Sequence, residues 1–161
     1  MTSLSEDEIQ KNIISELHIR RIDGVKMVDY VHHSPNGAKR AHKINDKGKR
    51  YSPEGQKLKA MGTVAGFPDL FIFKAMQGYH GLFVELKKPK KNKYLEIIKD
   101  GIKPAGCEAE PSQIDMLSRL NQQGYLAVVA YGHAAAIQII VEYLTGQMKF
   151  TKTKVNKVES L

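Results

Sequence analysis

The sequence predicts an α/β fold: a mixed β-sheet flanked by helices, with its core elements in the order α-β-β-β-α-β-α. Three observations carry this. Asp69–Phe73 and Leu82–Leu86 are strand-like in composition and length, with Gly78 and Gly81 in the turn region between them. Both runs are apolar on both faces, which is the pattern of strands covered by helices on each side. A helical pattern then separates the second run from another apolar run at 125–131, so a crossover connection makes those two strands parallel.

The elements follow in order. Ser5 and Glu8 have the spacing of a capping box, opening a helix from Glu6 to Arg20 whose apolar stripe is Ile9, Ile13, Ile14 and Leu17. Lys26 to His33 reads as a first strand, ended by Ser34-Pro35-Asn36-Gly37, a strong turn signal. His32 and His33 at its end read as ordinary residues or as a phosphate contact through one ring, without the Cys or acid spacing of a metal site. From Ala38 to Gly62 the chain is basic and nearly core-free, with a short helix expected around Pro53–Met61. The hairpin follows, then a second basic stretch at Lys88–Lys93. Tyr94–Gly106 has an ambiguous period that fits a turn of helix or a short hairpin. Pro111 and Ser112 start a helix to about Gln123, with Ile114, Leu117 and Leu120 inward and Gly124 just past its end. Tyr125–Tyr131 is a buried strand and His133–Leu144 the last helix. Residues 1–145 form one expected domain, with basic loops at about 38–62 and 88–110. Residues 146–161 read as a C-terminal tail or edge strand.

At 161 residues the chain can bury a real core. No stretch approaches the roughly 20 apolar residues of a membrane span, and the acidic, polar N-terminus is no secretory signal. The lone Cys107 cannot form an internal disulfide, so a reducing cytosol is the expected setting. The net charge of +8 favours a polyanionic partner. Acids gather in the first helical turn and at the hairpin, while Lys and Arg fill the loops.

That distribution gives the hairpin its chemistry. Paired as antiparallel strands, the two runs bring Asp69 opposite Glu85, and the period of two puts Glu85 and Lys87 on one face. Phe71, Phe73 and Phe83 share that face; Leu70, Ile72, Leu82, Val84 and Leu86 lie on the other. Hard divalent cations take oxygen ligands, usually one or two carboxylates, and keep several waters. Asp69 and Glu85 can supply these, with the backbone carbonyl of Leu86 as a third oxygen. Lys87 is then placed to orient the nucleophile or to stabilise negative charge developing on a phosphate. Two readings follow: a metal-dependent nuclease, and a non-catalytic nucleic-acid-binding module with the same basic surface.

The sequence resembles the PD-(D/E)xK nuclease superfamily, and within it the VRR-NUC family, especially its small stand-alone members in phages and bacteria. The residues that carry the resemblance are Asn36-Gly37 with Arg40, Lys59-Ala-Met-Gly62 leading into Gly66-Phe-Pro-Asp69-Leu, Phe83-Val-Glu85-Leu-Lys87, and Ser112-Gln113 opening a helix that ends near Gly124. It covers about residues 5–144. The resemblance implies a restriction-endonuclease-like fold and Mg²⁺- or Mn²⁺-dependent cleavage of DNA. It matches Asp69 and Glu85 to the metal ligands, Lys87 to the catalytic lysine, and Gln113 to a supporting glutamine. An acid from the first helix often completes the set. Here the apolar spacing puts Gln10 at that place, with Glu6 one turn earlier, and both stay open. Asn36, Lys39, Arg40, Lys59, Lys88, Lys90 and Lys91 are the DNA-contacting candidates. Residues 90–110 are longer than the expected link and read as a substrate-specific insertion. Likeness to junction resolvases implies branched DNA, such as a Holliday junction, and a homodimer in the bacterial cytosol.

Overall fold

The computed structural model describes residues 4–35 and 43–148. Asn36, Lys39 and Arg40, and the tail from residue 149, lie outside them.

The first helix, α1 (Glu6–Ile19), carries the expected capping box: the Ser5 N–H donates to Glu8 Oε2 at 2.7 Å, and the Glu8 N–H donates to Ser5 Oγ at 3.3 Å. It buries Ile9, Ile13 and Leu17. The segment expected to be one long strand is instead three pieces. β1 (Arg21–Ile22) and β2 (Val25–Lys26) pair around Asp23 and Gly24, whose φ angles are +49° and +80°. Two successive positive-φ residues make the type I′ turn that matches strand twist, and Asp-Gly is its preferred sequence. A 3₁₀ turn, Met27–Tyr30, seats Met27 in the core before β3 (Val31–His33) begins.

Within the basic segment, β4 (Lys43–Ile44) and β5 (Arg50–Tyr51) form a small hairpin. α2 (Pro53–Ala60) is capped by Ser52 and buries no side chain. β6 (Leu70–Ile72) and β7 (Leu82–Lys87) form the expected antiparallel hairpin, with Leu70 opposite Val84 and Ile72 opposite Leu82. The ambiguous stretch after it resolves as β8 (Leu95–Ile97), and α3 (Pro111–Gln122), β9 (Leu126–Tyr131) and α4 (Gly132–Leu144) complete the described chain. The central sheet runs β3-β6-β7-β9-β8. β7 and β9 are parallel, as a crossover connection through α3 requires, and the other pairs are antiparallel. The sheet therefore has one more strand than the sequence order predicted, an edge strand beside β9.

The alternation along the hairpin sorts the core into two layers. Leu70, Ile72, Leu82, Val84 and Leu86 face α1 and α4, against Ile9, Ile13, Leu17 and Ile140. Phe83, with Ala127 and Val129, faces Ile114 and Leu117 of α3, and Phe67 and Phe71 pack at its margin. At the closed end of the hairpin Gln77 and Gly78 have φ of +53° and +85°. Gln77 Nε2 donates to the Glu142 and Tyr143 carbonyls at 3.0 and 2.8 Å, satisfying orphan groups at the end of α4. The turn is pinned there, and the opposite, open end carries Asp69, Glu85 and Lys87. Among the described residues no helix is long and apolar enough to cross a membrane.

Candidate active site

Asp69 enters the sheet from Gly66-Phe67-Pro68. Gly66 has φ +77°, a conformation that only glycine adopts freely, and a Cβ on it would overlap the Ser112 carbonyl. The loop thus runs against the first turn of α3. The Asp69 carbonyl accepts the Ser34 N–H at 2.9 Å, and His33 Nδ1 lies 3.1 Å from the same oxygen, joining the loop to β3. The Asp69 carboxylate accepts the Leu86 N–H at 2.8 Å through Oδ2. Leu86 therefore touches the acid through its amide as well as offering its carbonyl.

Glu85 is 2% exposed and Lys87 8% exposed. Lys87 Nζ stands 3.0 Å from Glu85 Oε1, and Gln113 Nε2 donates to that same oxygen. Gln113 reaches it because its own Oε1 accepts the Glu110 N–H at 2.8 Å, a reciprocal bond across the start of α3 that fixes which way the amide points. The helix start doubles as the support of the acid. Among the described residues Glu85 Oε2 is buried with no hydrogen-bond partner. A buried carboxylate oxygen left unpaired is costly, and natural structures keep few such atoms without a reason.

The electrostatics point the same way. Burial first, then the neighbouring Asp69 charge, pushes Glu85 up to about 8, against the pull of Lys87. Burial also pushes Asp69 up, although the Leu86 N–H opposes it. For Lys87, burial pulls down, but the attraction and hydrogen bond of Glu85, with the charges of Glu6 and Asp69, outweigh it and raise the group. The Glu6 charge thus acts on all three from the first turn of α1. Gln10 is half-buried one turn further along. Among the described residues the carboxyls of Asp69 and Glu85, which also feel the Glu6 charge, outnumber the Lys87 ammonium, and such an imbalance suits a cation.

Among the described residues no three His, Cys, Asp or Glu side chains gather closely enough to hold a metal by themselves. The pair Asp69 and Glu85 could serve a hard cation that keeps most of its water, and the buried Glu85 Oε2 is the oxygen that such a cation would satisfy.

The lysines divide. Lys88 and Lys91 are exposed beyond the end of β7, and Lys59 is exposed on α2, a helix with no buried residue. Lys90 is tied down: its Nζ donates to the Gly106 carbonyl at 3.0 Å and pairs with Glu108 at 2.9 Å. Glu108 feels Lys87 as well, so the 90–110 segment returns an acid to the site's border. That segment is strapped to β9. Lys93 pairs with Glu96 and donates to the Ala105 carbonyl at 2.7 Å, while the Tyr131 hydroxyl accepts the Glu108 N–H at 3.1 Å. Cys107 is buried beneath it, and burial pushes its thiol up, away from the reactive thiolate. The contributions of Gly66, Glu108 and Glu110 had no sequence signal except the Gly itself, because each depends on contacts between distant segments.

A five-stranded mixed sheet between helices, with Asp, Glu and Lys at the open end of its central hairpin, defines a restriction-endonuclease-like α/β domain. A solved structure described as a VRR_NUC domain protein is similar to it with a TM-score of 0.65 and 32% sequence identity, over 90% of this chain and 92% of that one. The chain belongs to the VRR-NUC family. No protein-family model matches the sequence, and no curated protein matches it.

Proposed function

We propose that this chain is a divalent-metal-dependent deoxyribonuclease. The observation that carries the proposal is the buried, unpaired Glu85 Oε2 beside Asp69, with the Lys87 ammonium 3.0 Å from the other oxygen of the same carboxylate. Asp69 and Glu85 would hold Mg²⁺ or Mn²⁺, with Glu6 as an outlying acid. When bound, such a cation supplies an acidified water and neutralises charge on the scissile phosphate. Gln113 holds Glu85 and the Leu86 N–H holds Asp69, so neither carboxylate must reorganise as the reaction proceeds. Lys87 keeps its proton and presents a fixed positive charge to the phosphate oxygens. Lys88 and Lys91, with Asn36, Lys39, Arg40 and Lys59, supply contacts to the DNA backbone that position the strand without reading its sequence.

A chain with one such site cuts one strand at a time, so coordinated cleavage of a junction requires two copies around a two-fold axis. We extend the proposal to branched DNA and a homodimer on that ground. The test is incubation of purified protein with plasmid, single-stranded, flapped and four-way-junction DNA in Mg²⁺, Mn²⁺ or EDTA. Cleavage that needs the metal and is lost in Asp69→Ala supports the reading. Metal-independent cleavage, or binding with no cleavage in any metal, would sink it.

A further inference from the structure

The acid-bearing face of the sheet continues beyond Asp69 as a row of rings. Residues 69, 71 and 73 of the β6 segment point to one face, each two-residue step covering about 7 Å. Phe71 lies flat on Phe83, with centroids 4.2 Å apart and planes 7° apart. Phe73 meets both Phe71 and Tyr30 edge-on at 6.3 Å. His32 of β3 stands opposite Phe71 and is exposed. Gly81 leaves room for the ring row, because a Cβ there would come 2.7 Å from the Phe71 ring.

Exposure rises along the row. Phe83 is 3% exposed, Phe71 is half-buried, and Phe73 is 50% exposed. Among the described residues no helix covers this half of the sheet on the acid face. α3 packs over β9, α1 and α4 pack on the opposite face, and α2 buries nothing. Phe73 continues a ring row that begins in the core, and its surroundings suit a polyanion. His32 is adjacent, and Lys74 Nζ sits 4.7 Å from the centre of the Tyr30 ring.

We propose that Phe73, backed by Phe71, is a stacking subsite for unpaired bases of the DNA strand that enters the site. The inference rests on the nuclease reading above for the class of ligand and narrows it to DNA with a single-stranded segment. Bases in a duplex have their π-faces hidden by their neighbours, so only unpaired ones can use a ring platform, and every base can do so. From Asp69 to Phe73 the strand spans about 13 Å, the length of about four stacked nucleotides. Bases lying on the rings would therefore lead a phosphate toward Asp69 and Glu85.

The test needs no cleavage. Binding of the full chain to a fluorescein-labelled single strand and to a blunt duplex of equal length is measured by anisotropy in EDTA, for wild type, Phe73→Ala and Phe73→Trp. Phe73→Ala should weaken single-strand binding about tenfold and leave the duplex unchanged, with Phe73→Trp restoring the affinity. A 2-aminopurine placed in the strand should be quenched by wild type and not by Phe73→Ala. Equal loss on both DNAs, or no loss on either, overturns the subsite. So does sedimentation showing that Phe73→Ala dissociates a dimer, because the ring face would then join two copies. Metal-dependent cleavage is assayed separately: a protein that binds through Phe73 and never cuts refutes the nuclease reading alone, and one that cuts with unaltered Phe73→Ala binding refutes the subsite alone.

Discussion

Gly66 and Ser112 touch backbone to backbone: a Cβ on Gly66 would overlap the Ser112 carbonyl and stand 2.7 Å from the Gln113 nitrogen. This contact joins the loop that delivers Asp69 to the helix turn that delivers Gln113. The two acids are thus positioned by one shared junction, although they lie on different strands.

Gly66→Ala should therefore damage activity out of proportion to stability. The left-handed φ of +77° costs an alanine about 1 kcal/mol, and the overlap with backbone must be relieved by moving the loop or α3. Either movement separates Asp69 from the Gln113–Glu85 pair, and a displacement of that kind can cost about a hundredfold in rate. Cleavage rate and thermal melting measured on the same preparation check this. A variant that melts several degrees lower yet cuts at the wild-type rate would disconnect the junction from the chemistry.

Gln113→Ala removes the neutral donor that, among the described residues, reaches Glu85 Oε1, without disturbing the strand. Loss of a group that orients a metal-binding carboxylate typically costs 10–100-fold in metal affinity, so the Mn²⁺ concentration needed for half-maximal cleavage should rise by about that factor. Gln113→Glu should be worse, since it sets a third carboxylate against an acid already crowded by Asp69. Unchanged metal titrations in both variants would leave Gln113 as a helix-start residue alone.

Lys87→Met should abolish cutting, through loss of the charge presented to the phosphate, while binding to DNA in EDTA stays nearly intact. Removing one partner of a buried ion pair usually destabilises by about 3–5 kcal/mol. Here the effect at neutral pH should be smaller, because Glu85, pushed up to about 8, already holds its proton there and is left with no uncompensated charge when its partner goes. Active Lys87→Met protein would remove the lysine from the mechanism, and an unfolded one would overturn the argument about Glu85.

The convergence behind these variants was largely legible in the sequence, because it needs only the period of a strand and a two-run hairpin. Asp69, Glu85 and Lys87 share a face by parity, and the Leu86 amide reaches Asp69 by the same register. The Asp23-Gly24 hairpin went unread, because its two-residue strands are too short to show a period, and the strand expected over Lys26–His33 is broken by the 3₁₀ turn at Met27–Tyr30. β8 was not legible: three residues are too few to show a period, and its partner β9 lies beyond a whole helix. The choice between Glu6 and Gln10 depends on how α1 rotates when Ile9, Ile13 and Leu17 pack, which the apolar stripe fixes only to within a turn. The Lys90–Glu108 pair, which engages a lysine expected to face DNA, follows from the fold of the 90–110 segment and from no local pattern.

Metal-free protein should lose stability as pH rises, and a cation should restore it. Glu85 has an ordinary value of 4.5 and is pushed up to about 8 in the fold, by burial and then by Asp69. The folded state therefore holds this proton more tightly than the unfolded chain does. The resulting stability is complete below the unfolded value and is lost as pH climbs through about 8. At about 1.4 kcal/mol per unit the effect is a few kcal/mol, and Asp69, also raised, adds to it at lower pH. Lys87 is raised as well, so it stays charged across this window and does not offset the loss. Melting in EDTA between about pH 5 and about pH 9 should fall steeply for wild type and much less for Glu85→Gln, which has no proton to lose. Added Mn²⁺ should raise the wild-type melting temperature most at the alkaline end, where the carboxylates are free of protons, and should do little for Glu85→Gln. Parallel pH profiles in the two proteins would show that Glu85 is not the group being strained. A wild-type profile flat in EDTA would show that Lys87 and Gln113 already compensate the buried carboxylate, leaving no deficit for a cation to fill.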